Sequence, residues 1–138
     1  MELQDELHER IVSICSQGDD LVDRFEYENA IKMYLEALDL VPDPKYNWAA
    51  STWIYTALGD TCYMNRDFSA SKDFLFNAIN CPDGIANPFI MLRLGESLYE
   101  LGDVNKSKEY LLRAYILEGY SIFYSEDDKY FEVIKDEI

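Results

Sequence analysis

Histidine is the side chain best suited to moving protons near neutral pH, and this sequence has one, His8, set among Glu6, Glu9 and Arg10. No His–Cys cluster, glycine-rich phosphate loop or nucleophile motif accompanies it. Catalysis needs a matched acid, base or nucleophile held in a pocket, so His8 reads as a solvated helix-surface residue and no enzymatic activity is expected. Cys15, Cys62 and Cys81 are odd in number, far apart and without CxxC spacing. Reduced thiols are the simplest account of them. The acidic runs Asp19-Asp20 and Glu126-Asp127-Asp128 lack the ligand spacing and central glycine of a calcium loop, so neither metal nor cofactor is expected.

What the composition offers instead is charge and aromatic surface. Twelve basic residues against 27 acidic ones leave a net charge of −15 over 138 residues, a length suited to one domain. Such a field keeps a protein soluble, repels nucleic-acid phosphates and anionic membranes, and attracts basic proteins. A hydrophobic content of 49% with 14% aromatics excludes a disordered chain, and four prolines with six glycines suit a helical one. The opening MELQDELHER carries acids where a signal peptide is basic, and no apolar run approaches ~18 residues. The expected location is therefore cytoplasmic, without membrane association.

The elements that would display this surface are legible between Met91 and Gly119. Met91, Leu94, Leu98 and Leu101 follow helical spacing, and Val104, Tyr110, Leu111, Ala114, Tyr115 and Leu117 follow it again after Gly102-Asp103. This predicts an antiparallel hairpin, with the small residues Gly95 and Ala114 allowing close backbone approach. The same wording recurs at Tyr55, Leu58-Gly59, Tyr63, Asp67-Phe68 and Ala78, shifted by 36 residues (95 − 59). A more diverged copy runs through Ile14, Gly18, Leu21, Tyr27, Ala30, Tyr34, Ala37, Leu40 and Pro42. Leu3, Leu7, Ile11, Ile14, Gly18, Leu21 and Phe25 make one continuous face, so the first helix should be roughly two turns longer than its counterparts.

Asp43-Pro44 resembles an N-cap with proline at the first helical position, and a long helix is expected from Lys45 to Asn65; a longer loop at Asp43 to Asn47 is the alternative. Phe68 to Asn80 should form its partner, and Asn87-Pro88 should open the third pair. After Gly119 the pattern changes. Ser125 is placed to cap a last helix from Glu126 to Glu137, whose Tyr130, Phe131, Val133, Ile134 and Ile138 would cover the open end of the third hairpin.

These three hairpins resemble the tetratricopeptide repeat, whose pattern is an aromatic, Leu-Gly, an aromatic, then Ala, an aromatic, Ala and a closing Pro. The resemblance covers about residues 11 to 119, and the tail resembles that of small stand-alone bacterial members. Ser71 and Ser107 depart from it where a helix-B alanine is usual, and Cys62 and Leu98 where Tyr is usual. It implies an all-α, right-handed α-solenoid of about three helix pairs plus a C-terminal capping helix, forming a single domain. The repeats would run about 11–44, 45–85 and 86–119, with a capping segment over 120–138.

The resemblance also implies a concave groove lined by one stripe from the first helix of each pair. By register that stripe comprises Val12, Cys15, Asp19, Val22 and Asp23, then Trp53, Thr56, Asp60, Tyr63 and Met64, then Phe89, Leu92, Glu96, Tyr99 and Glu100. It is acidic and aromatic, with no Lys or Arg among these fifteen. The family's chaperone-binding clamp holds a peptide carboxylate with basic and Asn side chains, whereas Cys15 and Asp19 stand where its first Lys and Asn would be. The expected partner is thus a basic protein or peptide, held through Asp19, Asp23, Trp53, Thr56, Asp60, Tyr63, Phe89, Glu96, Tyr99 and Glu100. A bacterial immunity protein or antitoxin masking a basic toxin would have this character, as would an adaptor or chaperone for a basic secreted protein. The alternative is a self-associating assembly protein. A monomer or weak homodimer is expected.

Overall fold

Apolar residues at helical spacing, interrupted by capped turns, fold this chain into three antiparallel hairpins and a short seventh helix. The computed structural model describes residues 3–138. The hairpins pair α1 (Asp5–Asp23) with α2 (Tyr27–Leu40), α3 (Ala49–Met64) with α4 (Phe68–Ile79), and α5 (Pro88–Glu100) with α6 (Val104–Glu118). Helix α7 (Asp128–Ile134) follows, and each hairpin stacks on the next through α2 against α3 and α4 against α5. The result is an α-solenoid.

Helix starts are fixed by local chemistry. Asp67 and Asp103, one repeat apart, cap α4 and α6 by accepting the Ala70 and Lys106 amides at 3.2 and 3.1 Å. Asn87 accepts from the Phe89 and Ile90 amides at 2.9 and 3.2 Å while Pro88 fills the first helical position, as the sequence predicts. In each hairpin turn the residue before the second helix's N-cap is left-handed, and only Gly102 (φ 87°) occupies that position without the steric penalty that Phe25 and Arg66 bear.

Within the hairpins, the first helix meets its partner at a glycine. A Cβ on Gly59 would lie 2.4 Å from Leu75 Cγ, and one on Gly95 would lie 2.7 Å from Leu111 Cδ2 and 3.0 Å from the Leu111 backbone nitrogen. Beside each of these contacts a serine hydroxyl donates to the glycine carbonyl, Ser71 to Gly59 and Ser107 to Gly95, both at 2.7 Å. These are the two serines that stand where the repeat usually has alanine; their hydroxyls are buried and satisfied. The Ser71 and Ser97 hydroxyls, 2.9 Å apart, then tie the second hairpin to the third. Apolar side chains fill the space around them in two clusters, one centred on Ile11, Ala30, Tyr34, Ile54 and Leu58, the other on Leu75, Ile90, Met91, Leu94, Leu111 and Ile134.

Two expected elements differ. The helix predicted from Lys45 begins only at Ala49: Lys45–Asn47 is a single 3₁₀ turn, and Asp43-Pro44 does not open an α-helix. Trp48 is extended (φ −113°, ψ 133°) and packs on the first core cluster, so the chain turns back there before α3 starts. The longer loop at Asp43 to Asn47, the alternative reading of the sequence, is what forms, with a 3₁₀ turn inside it. The last helix runs from Asp128, with Lys135–Glu137 a 3₁₀ turn, and its cap is Asp127 rather than Ser125, accepting from the Lys129 amide at 3.0 Å. Glu126 lies just before the helix, with its carboxylate turned inward to Arg93.

Two outcomes follow from this packing. Gly95→Leu should overpack the contact with Leu111 and lower stability by about 1–3 kcal/mol, read from urea melts. Deleting residues 125–138 removes buried Tyr130 and Ile134 and uncovers the third hairpin, so the truncated chain should bind hydrophobic dye and elute as larger species on size exclusion.

Candidate protein-binding groove

Helices α1, α3 and α5 present their outward stripes along one surface, with Trp53 near its middle. Trp53 is 37% exposed. On one side of it lies a depression of about 470 Å³ walled by Val12, Cys15, Ser16, Asp19, Tyr34, Trp53 and Ala57. On the other, Thr52, Trp53, Thr56, Ala57, Asp60, Pro82, Asp83 and Phe89 are among the walls of one of about 450 Å³. Small Ala57 borders both, so the two depressions share a floor with the indole standing between them. Asp19 is exposed at the first, and one of its oxygens accepts from the Tyr34 hydroxyl at 2.5 Å. Burial and then that bond push the Tyr34 phenol well above its ordinary range, which keeps it a donor. Asp23 is exposed one turn further along α1.

The other half of the stripe is engaged within the chain. Arg93 lies over the rings of Tyr63 and Phe89, with centroid distances of 4.6 and 4.9 Å. Its Nε donates to Asp60 at 2.7 Å, and its Nη1 donates to Glu96 at 2.6 Å and to Glu126. The single guanidinium thus joins α3, α5 and the segment before α7. Burial works against its charge, but Glu96, Asp60 and Glu126 outweigh burial and hold its pKa above the usual arginine range. Near it, Lys129 pairs with Glu100 at 3.2 Å and sits over Tyr99 and Tyr130, and the Tyr63 and Tyr130 hydroxyls are 2.8 Å apart.

Three carboxyl groups around one guanidinium leave excess negative charge in a poorly solvated place. Glu96 is fully buried, and its Oε2 has no hydrogen-bond partner among the described residues. Burial first, then the adjoining Glu126 carboxylate, push its carboxyl up to about 9 against the opposing pull of Arg93. At neutral pH Glu96 therefore carries a proton, and the cluster holds two negative charges and one positive.

The sequence-derived stripe is thus split. Asp19, Asp23, Trp53 and Thr56 lie in or beside the open half, Asp60 and Phe89 border it but are held by Arg93, and Tyr63, Tyr99 and Glu100 touch the C-terminal segment while Glu96 is sealed beneath Arg93. Leu92 is buried, so it belongs to the core and not to the groove. The stripe is also not free of cations. Phe89, Arg93, Glu96 and Glu100 follow one another by four, three and four residues and share a helix face, a spacing that could have identified Arg93 in advance. Among the described residues no group of three or more His, Cys, Asp or Glu side chains is arranged to hold a metal ion, and no helix is long and apolar enough to cross a membrane.

A raised folded-state carboxyl pKa means that Glu96 stabilises the fold fully below about 4.5 and progressively less as pH rises through about 9. Glu96→Gln keeps the neutral shape without a titratable proton. The variant should be more stable than the parent by roughly 1–3 kcal/mol at pH 9 and nearly equal to it at pH 4.5, in urea melts at the two pH values. Arg93→Ala should cost about 3–5 kcal/mol, because it leaves buried carboxyl groups without their cation.

No family model matches the sequence, and no curated protein matches it. Solved structures do resemble the fold. The first TPR of Spaghetti (RPAP3), bound to the HSP90 peptide SRMEEVD, is 16% identical over 94% of each chain with a TM-score of 0.75. The type III secretion chaperone SycD of Yersinia enterocolitica, in complex with a peptide of the translocator YopD, is 14% identical over 93% of this chain and 92% of that one, with a TM-score of 0.73. At these identities the likeness concerns backbone architecture, and it establishes that the chain has a tetratricopeptide-like fold.

Proposed function

We propose that this chain is a protein-binding module without catalysis, and that it holds a basic segment of a protein partner in the open half of its concave groove. The observation that carries this reading is the exposed Trp53 indole, flanked by two depressions and by exposed carboxylates. A large ring on a rigid helix offers contact area at little conformational cost, and interface energy concentrates on such side chains at ~2 kcal/mol or more each. The net charge of −15 favours encounter with a positively charged partner. Peptide complexes of the two fold neighbours, one with an HSP90 tail peptide and one with a translocator peptide, support peptide binding as the use of this architecture. The HSP90 peptide is acid-rich, whereas Asp19 and Asp23 here suit the opposite charge.

An adaptor or chaperone that keeps a basic protein soluble has these properties, as does an antitoxin or immunity protein that covers a basic toxin. Both are uses of the same surface in the cytoplasm. Affinity purification from the native cell identifies the partner, and surface plasmon resonance then tests the groove. Trp53→Ala should raise the dissociation rate at least tenfold with little effect on association. Asp19→Lys with Asp23→Lys should slow association and flatten its salt dependence. If both variants bind as the parent does at low salt while keeping their helical spectra, the partner docks on another surface.

A further inference from the structure

The C-terminal segment shows how this groove recognises a cation. Lys129 comes from outside the hairpins, pairs with Glu100 at 3.2 Å, and rests over the Tyr99 and Tyr130 rings at 5.7 and 5.2 Å. Arg93 does the same between Tyr63 and Phe89, with Asp60 as one carboxylate partner. The open half repeats these ingredients without the cation. Asp19 is exposed beside Trp53, and among the described residues a hydroxyl contacts it but no Lys or Arg does. Ring, carboxylate and apolar depression are in place there, and what completes the set has to come from another molecule.

The two depressions fix the spacing of that molecule. They lie on opposite sides of Trp53, one between α1 and α3 and the other between α3 and α5. Their centres are therefore separated by about the width of α3, ~10–12 Å. An extended chain advances ~3.3 Å per residue and puts alternate side chains on one face, so same-face side chains two or four residues apart, ~6.6 and ~13 Å, bracket that separation. Each depression is mainly apolar where it borders Trp53 and Ala57, and each has a carboxylate on its wall, Asp19 in the first and Asp60 with Asp83 in the second.

Resting on the binding role proposed above, we infer that the groove reads an extended segment with two large apolar side chains on one face, two or four residues apart. One lodges on each side of the Trp53 indole, and a Lys or Arg flanks the anchor nearer α1 to pair with Asp19. Such a segment does not extend over α7, because Glu126, Lys129 and Tyr130 already occupy that half. The recognised element is consequently short and basic-apolar.

The test pans a phage library of random dodecapeptides over the immobilised full-length chain and measures the enriched peptides, made synthetically, by fluorescence anisotropy. Enriched peptides should share the apolar pair at that spacing with an adjacent Lys or Arg. Val12→Arg, which blocks the first depression at a side chain 44% exposed, and Thr56→Arg, which blocks the second, should each weaken them at least tenfold. Ile116→Ser, on the exposed outer face of α6, should change affinity less than twofold. Circular dichroism of each variant confirms that it is folded. Peptides that are acidic, that carry a single anchor, or that ignore both blocking variants would overturn this assignment while leaving the binding role intact. No enrichment above the bare support would overturn both.

Discussion

Everything in this molecule depends on how closely two helices approach at a glycine. Where Gly59 faces Leu75 and Gly95 faces Leu111 there is no room for a Cβ, and a serine hydroxyl from the second helix donates to each glycine's carbonyl. The hydrogen bond fixes axial register as well as distance, since a helix displaced by one residue would lose its acceptor. Gly18 meets the Tyr34 ring in the first hairpin, with a Cβ there placed 2.7 Å from Tyr34 Cε1. The Tyr34 hydroxyl continues past that contact to Asp19, so helix packing and the orientation of a groove carboxylate are set by one side chain.

Register in turn decides what the concave surface shows. With α3 and α5 held in phase, Asp60 and Glu96 converge on Arg93, and the segment before α7 supplies Glu126 as the third carboxyl. The cluster spans two hairpins and the tail. It is a tertiary clasp in which the proton kept by Glu96 lowers the excess negative charge around Arg93. Shielded between two rings, this clasp spends part of the groove's acidity on holding the tail and leaves Asp19 and Asp23 at the far end to face outward.

Much of this was legible in the residues alone. The 36-residue repeat located the hairpins, the small residues located the close approach, and Asn87-Pro88 located a helix start, because these signals act within a few positions of chain. What escaped were features that depend on tertiary partners. Trp48 leaves the helical path because its ring finds the first core cluster. Asp127 takes the place of Ser125 as the cap, next to Glu126, which pairs with Arg93 across the fold. In sequence the acidic stripe reads as one partner-facing surface, yet half of it pairs with Arg93 and Lys129 of the same chain. Arg93 itself was readable from its spacing with Phe89 and Glu96, but charge counting along a register from which it was left out obscured it.

The clasp also bears on how this protein could acquire new partners. Substitutions at Arg93 or its carboxyl partners change stability whatever they do for recognition, so that side of the groove is a poor substrate for selection. Val12, Asp19, Asp23, Trp53 and Thr56 lie outside it, on solvent-facing or half-buried positions of α1 and α3. Under the proposed binding role, variation there would change what is recognised at little cost to the fold. A lineage of such proteins would diversify at one end of the array while the other stayed fixed, with specificity and foldability carried on separate helices and open to separate evolutionary histories.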